Sequence, residues 1–129
     1  HHIPFDYRHV HPSSQTEEEG ARIMNDILKE EEPPTAIFCA NDCTALGVLR
    51  SLNKCRRKNY LPSVIAIDNI RKSAKTSPML TTIDIPKQEL AHFALLLLLD
   101  QQKKAHKECV RIELPCRLIE RESCTYAPC

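Results

Sequence analysis

The residues from Thr35 to Leu49 change periodicity midway. Thr35-Ala36-Ile37-Phe38-Cys39-Ala40 is a nearly unbroken apolar run that ends in Asn41-Asp42, after which Cys43-Thr44-Ala45-Leu46-Gly47-Val48-Leu49 continues at helical spacing. Such a run reads as a buried parallel strand, and the switch puts an amide and a carboxylate at a helix N-terminus. Ser63-Val64-Ile65-Ala66-Ile67 ends the same way in Asp68-Asn69, and Leu80-Thr81-Thr82-Ile83 ends in Asp84. Three strands, each delivering a carboxylate at its carboxyl end, describe one edge of a doubly wound sheet, where open α/β folds hold their ligands. A polyhydroxylated ligand suits an edge lined in this way.

Helical periods fill the intervals. Ser14 and Glu17 have capping-box spacing, and Ala21, Met24, Ile27 and Leu28 recur on one face, so a helix is predicted from Gln15 to about Glu31, stopped by Pro33-Pro34. A second runs from Cys43 to Lys54 with Leu46, Leu49 and Leu52 on overlapping faces, and the basic stretch Lys54 to Lys58 complements its dipole. A third follows Pro86, from Lys87 to about Lys104; its centre, Leu90 to Leu99, is apolar nearly all round and has to be covered on more than one side. Cys109–Leu114 and Arg117–Glu120 are extended runs either side of Pro115-Cys116. The expected fold is therefore α/β, three-layered, with a mainly parallel sheet and helices on both faces. Its parts are an irregular lead-in at 1–13, an α/β core at 14–107, and crossover strands and tail at 108–129.

Composition narrows the function by exclusion. A chain of 129 residues is one domain or a piece of one, and a net charge of +1 gives no electrostatic case for direct binding to nucleic acid or membrane. The apolar run Phe93 to Leu99 is far shorter than the roughly 20 residues that span a bilayer. No secretion signal is visible, and seven cysteines without a small-scaffold spacing point to a reducing compartment, so a cytoplasmic location is expected. The histidines and cysteines form no recognised zinc pattern. With only Gly20 and Gly47 there is no phosphate loop, and neither a nucleophile elbow nor a catalytic carboxylate pair is present, so neither an enzyme nor a cofactor is expected.

Four stretches taken together resemble one family. Pro34 to Asp42 with Ala45-Leu46-Gly47, Ser63 to Ile70, Pro78 to Asp84, and Leu118-Ile119-Glu120-Arg121-Glu122-Ser123 resemble, in order, the ligand-sensing domain of LacI/GalR-type bacterial transcription regulators. The resemblance implies one lobe of a periplasmic-binding-protein-like fold, in which two α/β lobes joined by crossing strands hold a sugar or other small effector between them. It covers the C-terminal lobe and last crossover, so the chain is expected to be a fragment, contacting DNA only through a domain that it lacks. Carried over by position, Asn41 and Asp68 match effector-contacting residues. The often polar position after the Thr-Thr strand is Ile85 here, the usual glycine before the Asp68 motif is Ala66, and the segment between Pro62 and Ser63 is shortened.

The candidate ligand-binding residues are thus Asn41, Asp42, Asp68 and Asn69, with Asp42 also suited to capping the second helix. Val48, Leu49, Leu52, Pro78 and Met79 offer more apolar surface than one sheet contact consumes, and regulators of this type pair through the equivalent helix and loop, so these five are the expected homodimer interface. Two other classes compete: a transport solute-binding protein, which shares the fold, and a sugar-modifying enzyme, which would require a catalytic pair.

Overall fold

The computed structural model describes residues 5–55, 60–103 and 108–125. The basic residues Arg56, Arg57 and Lys58, the expected helix end at Lys104 and the tail beyond Thr125 lie outside these. The elements are α1 (Glu17–Ile27), β1 (Ala36–Phe38), α2 (Asp42–Lys54), β2 (Ser63–Ile67), β3 (Thr81–Asp84), α3 (Lys87–Gln102) and β4 (Arg117–Ile119), with single 3-10 turns at Tyr7–His9 and Ser73–Lys75. Within the described residues the four strands form one sheet in the order β1-β2-β3-β4, parallel except for the antiparallel β3–β4 pair. Two of the strand-helix-strand or strand-loop-strand crossings thus bring three carboxyl strand ends to one edge, as the apolar runs predict.

Boundaries moved where local chemistry overrode spacing. The N-cap of α1 is Thr16 rather than Ser14: its hydroxyl accepts from Glu19 N–H at 3.2 Å, while Gln15 sits at φ 63, outside helical geometry. A left-handed residue cannot belong to the first turn, so the helix starts two positions late. Cys109–Leu114 forms no strand: among the described residues the antiparallel partner of β3 begins at Arg117.

Helices α1 and α2 cross at close range. A Cβ on Gly47 would lie 1.9 Å from the Glu17 carbonyl oxygen, and one on Gly20 would lie 2.1 Å from that of Thr44. Both glycines are therefore required for contact and not for backbone freedom. The closeness lets Met24 and Ile27 from α1, Ala45, Val48 and Leu49 from α2, Val64 and Ala66 from β2, and Cys39 and Leu80 next to β1 and β3 share one core. Burial removes their apolar surface from water at about 25 cal/mol per Å². Along β2 only Val64 and Ala66 are fully buried, and the alternate residues are half-exposed.

Among the described residues no helix covers that second sheet face, because α3 does not pack on it. No residue of α3 is buried, and Leu90, Leu95, Leu96, Leu98 and Leu99 are all exposed. The covering expected for this helix is thus not supplied by the lobe itself. The path of the chain explains why: Asp84 pairs in register with Arg117, so the chain leaves the sheet after Asp84 and re-enters it at Arg117, on the same carboxyl edge.

Candidate functional site

Asn41, Asp68-Asn69 and Asp84 follow or end β1, β2 and β3, and Arg117 opens β4 at the same edge. The four residues taken from the sequence as ligand contacts prove to do four different things.

Asn41 caps α2. Its Oδ1 accepts from Thr44 N–H at 2.8 Å and its Nδ2 donates to the Gln15 carbonyl at 3.2 Å, so the amide ties the lead-in segment to the helix. Nδ2 also donates to Gln15 Oε1 at 3.4 Å, so the half-buried amide keeps only the second lone pair of Oδ1 for the edge.

Asp42 is a correction. It is fully buried, and both carboxylate oxygens are engaged: Oδ2 accepts from Ile70 N–H at 2.9 Å and from Ser73 Oγ at 2.5 Å, and Oδ1 accepts from Thr82 Oγ1 at 2.6 Å. A ligand has no approach to it. Its role is to fasten the loop after β2 and the middle of β3 to the start of α2, and Ser73 and Thr82 were not singled out from sequence because nothing local marks them as partners of a residue some 30–40 positions away. Burial foremost, and then the same carboxylate, push the Cys39 thiol up to about 12, which leaves that cysteine an inert apolar filler.

Asp68 is the residue with its chemistry still unspent. It is half-buried, and among the described residues its carboxylate has no hydrogen-bond partner. Its main chain is held on both sides: Asp68 N–H donates to the Ile83 carbonyl at 2.9 Å, and its own carbonyl accepts from the Lys87 ammonium at the start of α3. The φ angle of 120 is one that side-chain-bearing residues rarely adopt, and such conformations concentrate at binding sites.

Asn69, also left-handed at φ 50, has its amide in use. Oδ1 accepts from Arg121 Nη2 at 2.7 Å and Nδ2 donates to Asp84 Oδ1 at 3.0 Å. Asn69 first, then Lys87 and Arg117, hold the Asp84 carboxyl below the usual carboxylate range, so it is ionised at the edge. Ile85 sits beside it, half-buried.

Larger hollows lie elsewhere. A cavity of about 540 Å³ runs along the outer, unpaired edge of β1 between α1 and the lead-in segment, with Ile23, Phe38 and Val48 in its wall. It follows the length of the strand instead of gathering strand ends, so the edge chemistry is not in it. Among the described residues there is no group of three or more histidine, cysteine and carboxylate side chains that could hold a metal.

The expected dimer face divides as well. Val48 and Leu49 are 3% and 4% exposed and belong to the core, which removes them from any interface. Leu52, Pro78 and Met79 remain half-exposed near one another, where Asn53 Nδ2 donates to the Ser77 carbonyl at 2.7 Å.

A lobe of three parallel strands and one returning antiparallel strand, with polar residues gathered where the chain exits and re-enters, is the architecture of a periplasmic-binding-protein-like domain. The profile of the periplasmic binding protein-like domain matches residues 1–124, and the chain belongs to that family. Its relatives are bacterial transcription regulators: the HTH-type transcriptional repressor PurR of Photorhabdus laumondii is 38% identical over 112 residues, covering 86% of this chain and 33% of the repressor. The chain spans about a third of the length of the curated relatives it matches. A LacI family transcriptional regulator from Enterococcus faecalis, solved with bound ribose, superposes with a TM-score of 0.74 at 34% identity, covering 86% of this chain and 41% of that one. The complex of the transcriptional regulator CelR with cellobiose gives a TM-score of 0.83 at 26% identity, covering 94% and 37%. The match is to part of a LacI/GalR-type effector-binding domain.

Proposed function

We propose that this chain is the C-terminal lobe of the effector-sensing domain of a LacI/GalR-type transcription regulator, holding a small polyhydroxylated ligand against the carboxyl edge of its sheet. The observation that carries the reading is the half-buried Asp68 carboxylate, without a hydrogen-bond partner among the described residues and on a strained backbone at that edge, with Asn41 and Asp84 alongside. A carboxylate accepts from two neighbouring hydroxyls at once, which is what a sugar offers. Neighbours solved with ribose and with cellobiose support the same ligand class.

The excursion 85–116 belongs to the second lobe. It leaves and returns at the ligand edge, and it carries exposed Leu95, Leu98, Val110 and Ile112, an apolar surface of the kind that another part of the protein covers. A ligand between the lobes then favours one hinge arrangement over the other by differential binding. DNA contact falls to a helix-turn-helix segment outside this chain, the location is cytoplasmic, and the module binds without catalysing. Regulator relatives at 38% identity favour this over a transport solute-binding protein.

The test is a titration of the complete sensing domain with ribose and cellobiose, followed by Asp68→Ala and Asn41→Ala. Loss of about 1–3 kcal/mol in each variant is expected, because a buried ligand hydroxyl loses its partner. Unchanged affinity in both removes the edge from the site. A homodimer forms through the half-exposed face of Leu52, Pro78 and Met79, so Met79→Glu in the complete domain yields folded monomers by sedimentation; a folded dimer at micromolar concentration rejects that face.

A further inference from the structure

The Leu-Ile-Glu-Arg-Glu-Ser stretch has a physical role that the ligand edge does not by itself account for. Its serine, Ser123, is buried and stitches the amino ends of two strands: Oγ donates to the Val64 carbonyl at 2.6 Å and accepts from Thr81 N–H at 2.8 Å. Its arginine is aimed elsewhere. Arg121 Nη1 donates to the Leu80 carbonyl at 2.7 Å, Nη2 donates to Asn69 Oδ1 at 2.7 Å, and its main-chain N–H donates to Thr81 Oγ1 at 2.9 Å. Asn69 and Leu80 are the second and the last residues of the connection between β2 and β3. One planar guanidinium therefore spans both, which a point-like ammonium cannot do.

The orientation of the Asn69 amide follows from its neighbours. A guanidinium only donates and a carboxylate only accepts, so Oδ1 must face Arg121 and Nδ2 must face Asp84. The Asn69 main chain is held as well, its N–H donating to Thr82 Oγ1 at 3.3 Å. Asn69 is thereby fixed at three points immediately beside Asp68, at successive φ values of 120 and 50. Such a pair of left-handed residues persists only where surrounding contacts over-determine it.

We propose that Arg121 is a positioning residue for the ligand edge: from the tail beyond the last strand it fixes Asn69, and through Asn69 it holds the backbone that presents the Asp68 carboxylate. This rests on the ligand-edge reading above and adds to it a residue that lies off the edge. It also makes the tail after β4 part of the sensing machinery, since any movement of the tail moves the presentation of Asp68.

The experiment uses the complete sensing domain with Arg121→Ala, Arg121→Lys, Asn69→Ala and the Arg121→Ala/Asn69→Ala double variant, each checked for folding by circular dichroism. Without ligand, hydrogen exchange at the Asn69 and Ile70 amides is expected to speed up about tenfold in Arg121→Ala while the Ile65 and Ile67 amides of β2 are unchanged. A uniform loss of protection, or none, overturns the proposal. If Arg121→Ala does not fold, Arg121→Lys, which keeps one of the two side-chain arms, decides by the same local pattern. With ribose or cellobiose, the two single alanine variants each weaken binding about tenfold and the double variant weakens it no further, because one acts through the other. Additive losses overturn it. If the wild-type domain binds neither sugar, the ligand assignment fails, and the exchange pattern alone decides the role of Arg121.

Discussion

Asp68 is where conformation and function pull against each other. Its φ of 120 costs on the order of 1–3 kcal/mol for a residue with a Cβ, and glycine would relieve that at the expense of a more flexible unfolded chain. Asp68→Gly is therefore expected to make the complete sensing domain more stable by about 1 kcal/mol in denaturant unfolding while weakening sugar binding about tenfold. A variant less stable than wild type would mean that the backbone is not strained there. Asp42, one strand over, has the same carboxylate and none of this tension, since its oxygens are satisfied by Ile70, Ser73 and Thr82. The difference between the two residues is invisible in their local sequences; both follow an apolar run. What separates them is that Asp42 begins a helix packed over the sheet, and Asp68 begins the loop that crosses to the start of β3.

At the level of elements, the pair α1–α2 depends on two missing side chains. Gly20 and Gly47 each face the backbone of the opposite helix, so a methyl group at either meets a carbonyl and not a flexible side chain. Gly47→Ala removes a poor helix former, which alone would be favourable by about 1 kcal/mol, but it forces the helices apart at an overpacking cost of up to about 3 kcal/mol. A net drop in thermal stability is expected, and an unchanged or raised midpoint would show that the helices can separate freely. Glycine in mid-helix is a legible signal, yet its sequence neighbours do not say what it approaches. Two strands were legible, β2 and β3, because their apolar runs are bounded by polar residues, whereas the extended run Cys109–Leu114 forms no strand and the start of α1 moved because Gln15 turns left-handed and Thr16 takes over the cap.

Across the whole molecule, Glu17 joins three segments. It accepts from Lys72 at 2.6 Å in the loop after β2 and from Arg50 at 3.0 Å on α2, and these cations, Lys72 foremost, lower its carboxyl from the ordinary 4.5. A carboxyl lowered on folding adds stability that is fully present above the ordinary value and is lost as the pH falls through the lowered one. Glu17→Gln is thus expected to flatten the fall in melting temperature as the pH drops below about 4.5, leaving the neutral-pH midpoint slightly reduced because both bridges are partly exposed. An identical acid dependence in the variant would exclude Glu17 from the response. Half-buried Glu19 and exposed Asp26 are also lowered by their cations and keep their share in both proteins.

The sequence by itself determined the α/β class, the three parallel strands, the row of polar groups at their carboxyl ends and the family, because each is written in short-range patterns of apolar and polar positions and in ordered motifs. Tertiary structure alone decided which of those polar groups remain available. Asp42 is spent on Thr82 some 40 positions away, Asn69 on Arg121 more than 50 away, and the Asp68 carboxylate is left without a hydrogen-bond partner among the described residues. It also decided the fate of α3, whose apolar surface demanded cover in any reading but whose chain path, out from Asp84 and back to Arg117, carries it off the sheet. Hydrogen bonds between distant residues and the direction in which a helix leaves a sheet depend on the arrangement of the whole chain, and no local period records them.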